Sequence, residues 1–254
     1  MDLAGRVAIV TGGGTGIGRA TSIRLAKAGA KAVVVNYSRS AAEAESTAEE
    51  LRQLGAEALA WRANIADESM VEAMVESTVD RYGSLDMLVN NAGTTHFIPH
   101  ADLDALTDPV WDDIISVNLK GTFFCCRAAA PELKKSGGAI VNISSISAHR
   151  ASGSSIPYAV SKAGVVQLTR ALALALAPDV RVNSVSPGLV SSRWFSQRFG
   201  EDAAAAQEEA FAKTTPLGRI ATPDDVARAV VALLENDVIT GQDLVVDGGK
   251  NIQY

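Results

Sequence analysis

The sequence predicts an α/β protein: a parallel sheet with helices on both faces. Three observations carry this. Short apolar runs alternate with longer helical patterns along all 254 residues, the rhythm of βα units. The apolar runs lack in/out alternation, as strands covered on both faces should. The first run, Val7–Val10, passes directly into a glycine-rich turn with a helical pattern behind it.

In chain order the strands are read at Val7–Val10, Ala32–Val35, Ala58–Trp61, Met87–Val89, Ala139–Ile143, Val180–Val185 and Leu244–Val246. Helical stretches lie between them, near 17–29, 41–54, 68–81, 109–134, 156–176 and 223–235. Gly29 and Gly55 stand where helices stop, and Thr222-Pro223 stands where the last one starts. The rhythm breaks once, at roughly 189–215. That segment carries Trp194, Phe195, Phe199 and Phe211 and is read as a substrate lid within a single domain spanning 1–254.

Composition excludes several classes. Apolar residues make up 47% and charged residues 20%, which is not the balance of a disordered chain. A chain this size buries roughly 72% of its unfolded surface, so it needs no disulfide or structural metal. Net charge is −6 with no basic cluster, which argues against a nucleic-acid partner. No run is read as approaching the ~18 apolar residues of a membrane span, and the N-terminus has no signal-peptide pattern. Cys125 and Cys126 are adjacent and fit neither a disulfide framework nor a redox pair. A cytoplasmic setting is expected. His96, His100 and His149 lack metal-ligand spacing, so no metal is expected.

The turn after the first strand reads Thr11-Gly12-Gly13-Gly14-Thr15-Gly16-Ile17-Gly18. Glycines there let the backbone approach a pyrophosphate, and the helix behind offers free N–H groups and a positive dipole end. The spacing is G-x-x-x-G-x-G, not the G-x-G-x-x-G of the common dinucleotide fingerprint. Other motifs follow in order: Asn90-Asn91-Ala92-Gly93 after the fourth strand, Val117-Asn118-Leu119 in the long central helix, and Ser145 ahead of Tyr158-Ala159-Val160-Ser161-Lys162. Pro187-Gly188 follows the sixth strand, and Asp247-Gly248-Gly249 lies near the C-terminus. Together these resemble the short-chain dehydrogenase/reductase family over nearly the whole chain.

The resemblance implies a doubly wound Rossmann-like domain, a seven-stranded parallel sheet in the order 3-2-1-4-5-6-7. It implies interconversion of a ketone or aldehyde and an alcohol by hydride transfer. Tyr158 would be the proton donor and acceptor, Ser145 would hydrogen-bond the substrate oxygen, Lys162 would hold the nicotinamide ribose, and Asn118 would anchor a water beside Lys162. Physical chemistry supports the pairing. A phenol with pKa near 10 needs roughly three units, about 4 kcal/mol, of help to ionise near neutrality. Lys162 lies one helical turn from Tyr158 and is expected to lower that pKa. Ser144 competes with Ser145 but would point the other way on a strand.

By the same resemblance, the dinucleotide would lie on Gly12, Thr15, Gly16, Ile17, Gly18, Asn64, Ile65, Asn91, Ala92, Gly93, Tyr158, Lys162, Pro187, Gly188, Val190 and Ser192. The second strand ends Asn36-Tyr37-Ser38-Arg39-Ser40 without an acid. An acid there would hold the ribose hydroxyl of NAD. Asn36, Ser38, Arg39 and Ser40 suit a 2′-phosphate better, so NADP(H) is expected over NAD(H). The substrate pocket is expected to involve Ser145, Ser147, His149 and Trp194. Members usually form homotetramers or homodimers through two long helices, here carrying Ala128–Ala130 and Ala171–Ala177. The chain is similar to 3-oxoacyl-[acyl-carrier-protein] reductases, although 172–179 has no basic residue for an acidic carrier. The alternatives are a 3-oxoacyl-[acyl-carrier-protein] reductase of fatty-acid synthesis, a sugar or polyol dehydrogenase, and a non-catalytic NADP(H) sensor.

Overall fold

In the computed structural model, residues 1–191 and 200–253 are described. Seven strands form one sheet: β1 (Val7–Val10), β2 (Ala32–Tyr37), β3 (Glu57–Arg62), β4 (Met87–Asn90), β5 (Ala139–Ile143), β6 (Arg181–Pro187) and β7 (Asp243–Val246). Their order is β3-β2-β1-β4-β5-β6-β7, every pair parallel. This is the doubly wound, Rossmann-like order, with its switch point between β1 and β4.

The absence of alternation in the strands has its cause here. Along β1, Ala8 and Val10 enter one buried apolar cluster and Val7 and Ile9 enter another. Successive side chains point to opposite faces, and both faces are covered. Helices α1 (Gly16–Lys27), α2 (Ala41–Gln53) and α8 (Pro223–Glu235) supply Leu25, Ala48, Leu51, Val230 and Leu234 to the first cluster. Helices α3 (Glu68–Tyr82) and α5 (Thr122–Ser136) supply Val71, Met74, Cys125, Cys126 and Leu133 to the second. Each large apolar side chain so buried contributes about 1.5–3 kcal/mol.

Local chemistry sets the helix ends. The Asp67 carboxylate accepts from the N–H groups of Ser69 and Met70 at the start of α3, and Gly83 ends that helix at φ 84°. Thr222 and Asp225 form a capping box with Pro223 in the first turn of α8. Gly29 and Gly55 close α1 and α2 in the left-handed region.

Three features depart from expectation. The stretch read as one helix near 109–134 is α4 (Asp108–Ile115), a π-helical turn (Ser116–Gly121) and then α5. The segment read as a lid contains a helix of its own, α7 (Glu201–Lys213). Helix α6 (Ile156–Leu176) has 21 residues and mean hydropathy 1.3, long and apolar enough by those measures to cross a membrane, contrary to expectation. It carries Lys162 and Arg170 and packs on β5 and β6.

Candidate active site

The site is built where strands end and helices begin. Thr11, just past β1, fastens the first turn to the segment after β4. Its hydroxyl accepts from the N–H groups of Asn91 at 2.9 Å and Ala92 at 3.0 Å. Asn91 Nδ2 returns bonds to the carbonyls of Thr11 at 2.9 Å and Gly12 at 3.1 Å. A Cβ on Gly18 would meet the Gly12 carbonyl oxygen at 2.2 Å. Gly12 and Gly16 lie at φ +61° and +51°. Helix α1 has no acid in its first turn, and its N-cap, Thr15, makes no side-chain cap bond. The leading N–H groups of Gly16, Ile17 and Gly18 therefore take no side-chain cap from Thr15, and the dipole's positive end lies there. This cradle, closed to any side chain at Gly18 and with no acid in the first turn of α1, fits the pyrophosphate of a dinucleotide.

Past β2 the structure corrects one expectation. Asn36 is buried rather than turned towards a ribose. Its Oδ1 accepts from Gly12 N–H at 3.3 Å, and its Nδ2 donates to the carbonyls of Trp61 at 3.3 Å and Ala63 at 3.0 Å. It braces the glycine turn from behind. Ser38 and Arg39 stand exposed at the strand's end. Asn64 is exposed, with Oδ1 accepting from Ala66 N–H at 3.2 Å. Ile65 is buried against Gly121, where a Cβ would come within 2.8 Å of it.

The side chains expected to react come from β5's end and α6's start. Ser145 caps a short 3-10 turn, Ile146–Ala148, its Oγ accepting from Ser147 N–H at 3.1 Å and donating to Ser147 Oγ at 3.2 Å. Ser155 and Pro157 start α6, with Ser155 Oγ accepting from Tyr158 N–H. The Lys162 ammonium lies 5.7 Å from the Tyr158 ring centroid and donates to Ile143 O at 2.9 Å. Ser144 points away, donating to Lys162 O at 2.8 Å, as strand geometry predicts. Asn118, on the π-helical turn, is a fastener. Its Nδ2 donates to Thr94 O at 3.0 Å and Ser161 Oγ at 3.1 Å, and its Oδ1 accepts from Thr94 N–H at 2.8 Å. It thereby joins the loop after Gly93 to the helix turn between Tyr158 and Lys162. A Cβ on Gly93 would lie 3.2 Å from Asn118 Oδ1 and 3.8 Å from Lys162 Nζ.

On the far side, Pro187 ends β6, and Gly188 N–H donates to Val246 O at 3.0 Å. A Cβ on Gly188 would meet Asp247 Cβ at 2.8 Å. Val190 is buried and bridges to Ala221. Ser192 and Trp194 lie outside the described residues. His149 is turned to the sheet, its Nε2 2.8 Å from Asp243 Oδ2. His96 pairs with Asp113 at 2.9 Å on the loop beyond Gly93.

Burial controls the electrostatics. It raises the Tyr158 phenol above its ordinary value, with the Ser145 hydroxyl pulling it back down. This is opposite to the lowering expected from Lys162. Burial also depresses Lys162, from 10.5 to about 8. Lysine charge is therefore disfavoured in the folded chain: this stability term is present above pH 10.5 and lost as pH falls to about 8. The gap corresponds to about 3 kcal/mol. Replacing Lys162 by Met removes that penalty at the cost of the donor to the buried Ile143 carbonyl, about 1–3 kcal/mol. The variant is expected to be at least as stable as the parent at pH 7. Its advantage should shrink between pH 8 and 10.5, which calorimetry across that range reads directly. An advantage independent of pH would contradict the assignment.

Residues 12–251 match the family model described as enoyl-(acyl carrier protein) reductase. The chain belongs to the short-chain dehydrogenase/reductase family. A Streptomyces violaceoruber protein described as ketoacyl reductase 2 of the granaticin polyketide synthase is 46% identical over 97% of this chain and 96% of its own. The 3-oxoacyl-[acyl-carrier-protein] reductase FabG of Staphylococcus aureus is 38% identical over 95% and 96%. A solved structure described as a short-chain dehydrogenase/reductase of Burkholderia xenovorans superposes with TM-score 0.90 at 31% identity, covering 98% of both chains. As a short-chain dehydrogenase/reductase similar to ketoacyl reductases, the protein is an oxidoreductase acting on alcohol and ketone groups with a nicotinamide cofactor.

Sequence reasoning missed Thr11, Thr94, Ser161 and Asp243. Thr11 adjoins Gly12 and Thr94 adjoins Gly93, so adjacency to a motif was the available signal. Ser161 lies inside the Tyr158–Lys162 turn, where its hydroxyl could already be placed beside both. Nothing in the local sequence of Asp243 points to His149.

Proposed function

We propose that the protein reduces a 3-ketoacyl thioester or a related ketone with NADPH, using Ser145, Tyr158 and Lys162. The convergence of those three side chains at the start of α6 carries the proposal. The nicotinamide, when bound, supplies the hydride. Ser145 and Tyr158 hold the substrate oxygen, and Tyr158 delivers the proton to it. Lys162 holds the nicotinamide ribose, and Asn118 keeps the loop after Gly93 seated on α6. The glycine turn, Asn91, Ala92, Gly93, Pro187, Gly188 and Val190 frame the dinucleotide, with Ser192 as its expected neighbour and Trp194 expected at the substrate. The relatives named for ketoacyl reduction support the substrate class. We also assign the exposed apolar residues of α5 and α6, Phe123, Val160 and Leu174, to subunit contacts in a homotetramer or homodimer. A cytoplasmic location agrees with two buried, free cysteines.

The choice of NADPH rests on Arg39. It stands exposed where an acid would select NAD, and Asn36 is committed elsewhere. A charge-assisted bond to a phosphate contributes roughly 1.5–3 kcal/mol. Arg39→Ala should therefore cut kcat/KM for NADPH by about 10- to 100-fold and leave NADH little changed. The test follows NADPH and NADH oxidation against an acetoacetyl thioester, a bulky aromatic ketone, a steroid ketone and a sugar-derived carbonyl. Turnover of the thioester with NADPH is expected. Equal use of NADH, or preference for the sugar, would replace this assignment.

A further inference from the structure

The turn that carries Ser145 is fastened to the C-terminal segment at two points. His149 Nε2 lies 2.8 Å from Asp243 Oδ2. Asp243 Oδ1 accepts from Ser184 Oγ at 2.6 Å and Ser186 Oγ at 2.9 Å, so this carboxylate also grips β6 just before Pro187. One residue along the turn, Arg150 Nη1 donates to the main-chain carbonyl of Lys250 at 2.5 Å.

Lys250 then reaches the other way. Its ammonium donates to Thr214 O at 2.9 Å and Thr214 Oγ1 at 2.7 Å, and it lies 5.1 Å from the Phe211 ring centroid. Those partners give the three donors of an ammonium somewhere to point. Thr214 is the C-cap of α7, and Phe211 is in that helix's last turn. The backbone around Lys250 is built for this reach. Gly248 and Gly249 lie at φ +67° and +90°. A Cβ on Gly248 would meet Thr215 Cγ2 at 2.7 Å, and one on Gly249 would meet Pro216 Cγ at 3.1 Å. Leu217 N–H closes the contact on Gly248 O at 3.1 Å. Two consecutive glycines in left-handed conformation thus press the C-terminal turn against the end of α7 and deliver Lys250 to both partners.

We propose that Lys250 is a positioning residue that sets α7 against the Ser145 turn: its carbonyl holds Arg150 beside that turn while its ammonium holds Thr214 at the end of α7. The Ser145 turn and α7, which belongs to the segment read as a substrate lid, are then held as one unit, a role resting on the reaction proposed above. No substrate contact by Lys250 is involved.

Lys250→Met keeps the carbonyl and the apolar stem and removes the ammonium. Lys250→Arg keeps a cation that can donate to Thr214 and lie on Phe211. Hydrogen exchange of the whole protein, read by mass spectrometry, is the first measurement. Lys250→Met is expected to speed exchange across Glu201–Lys213 about 10-fold, leave β1 and β4 unchanged, and be restored by Lys250→Arg. In steady state the same variant should raise KM for the carbonyl substrate about 5-fold or more while kcat and the cofactor KM stay within about twofold. Unchanged exchange in α7, or faster exchange in α7 and the sheet together, would overturn the proposal. So would equal losses in Lys250→Met and Lys250→Arg. If the parent protein turns over no carbonyl, the reaction assignment falls, and the exchange measurement still decides the role of Lys250.

Discussion

Tyr158→Phe is expected to slow carbonyl reduction about 10³-fold and leave NADPH affinity and melting temperature nearly unchanged. Positioned general acids contribute roughly 10²–10⁴-fold, and Phe keeps the ring while deleting the hydroxyl. The ring is the part that packs; among the described residues, no bond to the Tyr158 hydroxyl is needed to hold α6, whose first turn is set by Ser155. The hydride donor and Ser145 remain in place, so the residual rate comes from orientation and one hydrogen bond to the substrate oxygen. Single-turnover NADPH oxidation gives the rate, and a fluorescence titration gives the affinity. More than about a tenth of the parent rate would move proton delivery to another group. The direction of the phenol's shift adds a second check. Because burial raises its pKa, Tyr158 stays protonated through neutral pH, the form that reduction uses. Oxidation of the alcohol uses the phenolate and should be the more demanding direction at pH 7, gaining as pH rises.

The same residue shows how far sequence could go. The approach of Tyr158, Lys162 and Ser145 was legible because helix pitch and a strand end fix it whatever surrounds them. Their electrostatics were not, because desolvation depends on the whole covering layer. A pair reasoned as mutually stabilising charges is, in the folded chain, a raised phenol beside a depressed lysine. The strands were legible because apolar side chains on both faces leave a continuous run. Helix α7 was not: Ala204 is its only buried residue among those described, so it has no apolar stripe to give a period. The break at Ser116–Gly121 was hidden because a π-helical turn leaves helical composition intact. The resemblance to NADP-preferring members places Asn36 at the ribose phosphate. Its amide is instead spent on Gly12, Trp61 and Ala63, partners that only the β1–β2–β3 register brings together.

Gly18→Ala is expected to abolish dinucleotide binding and to cost at least about 3 kcal/mol of stability. The new Cβ would lie 2.2 Å from the Gly12 carbonyl oxygen, 2.9 Å from its carbon and 2.6 Å from Asn91 Nδ2. Two of these are backbone atoms, so no rotamer change relieves the clash. Asn91 cannot yield freely either, since it holds the carbonyls of Thr11 and Gly12. Overpacking alone costs about 1–3 kcal/mol, and each broken bond in that lock adds about 1 kcal/mol. For a chain this size that is a fall of roughly 6–12 °C in Tm. Affinity should fall further than stability, because the displaced turn is the phosphate cradle itself. Gly16→Ala is the control. Gly16 sits at φ +51° with nothing within 4 Å of its would-be Cβ, so alanine there pays only the left-handed strain of about 1–2 kcal/mol. Its effect on Asn91 should be nil. Melting curves and NADPH titrations of the two variants therefore separate two reasons for glycine within one turn: conformational freedom at Gly16 and close approach at Gly18. Equal effects at both positions would mean that backbone strain, not the contact between Gly18 and Gly12, governs the cradle.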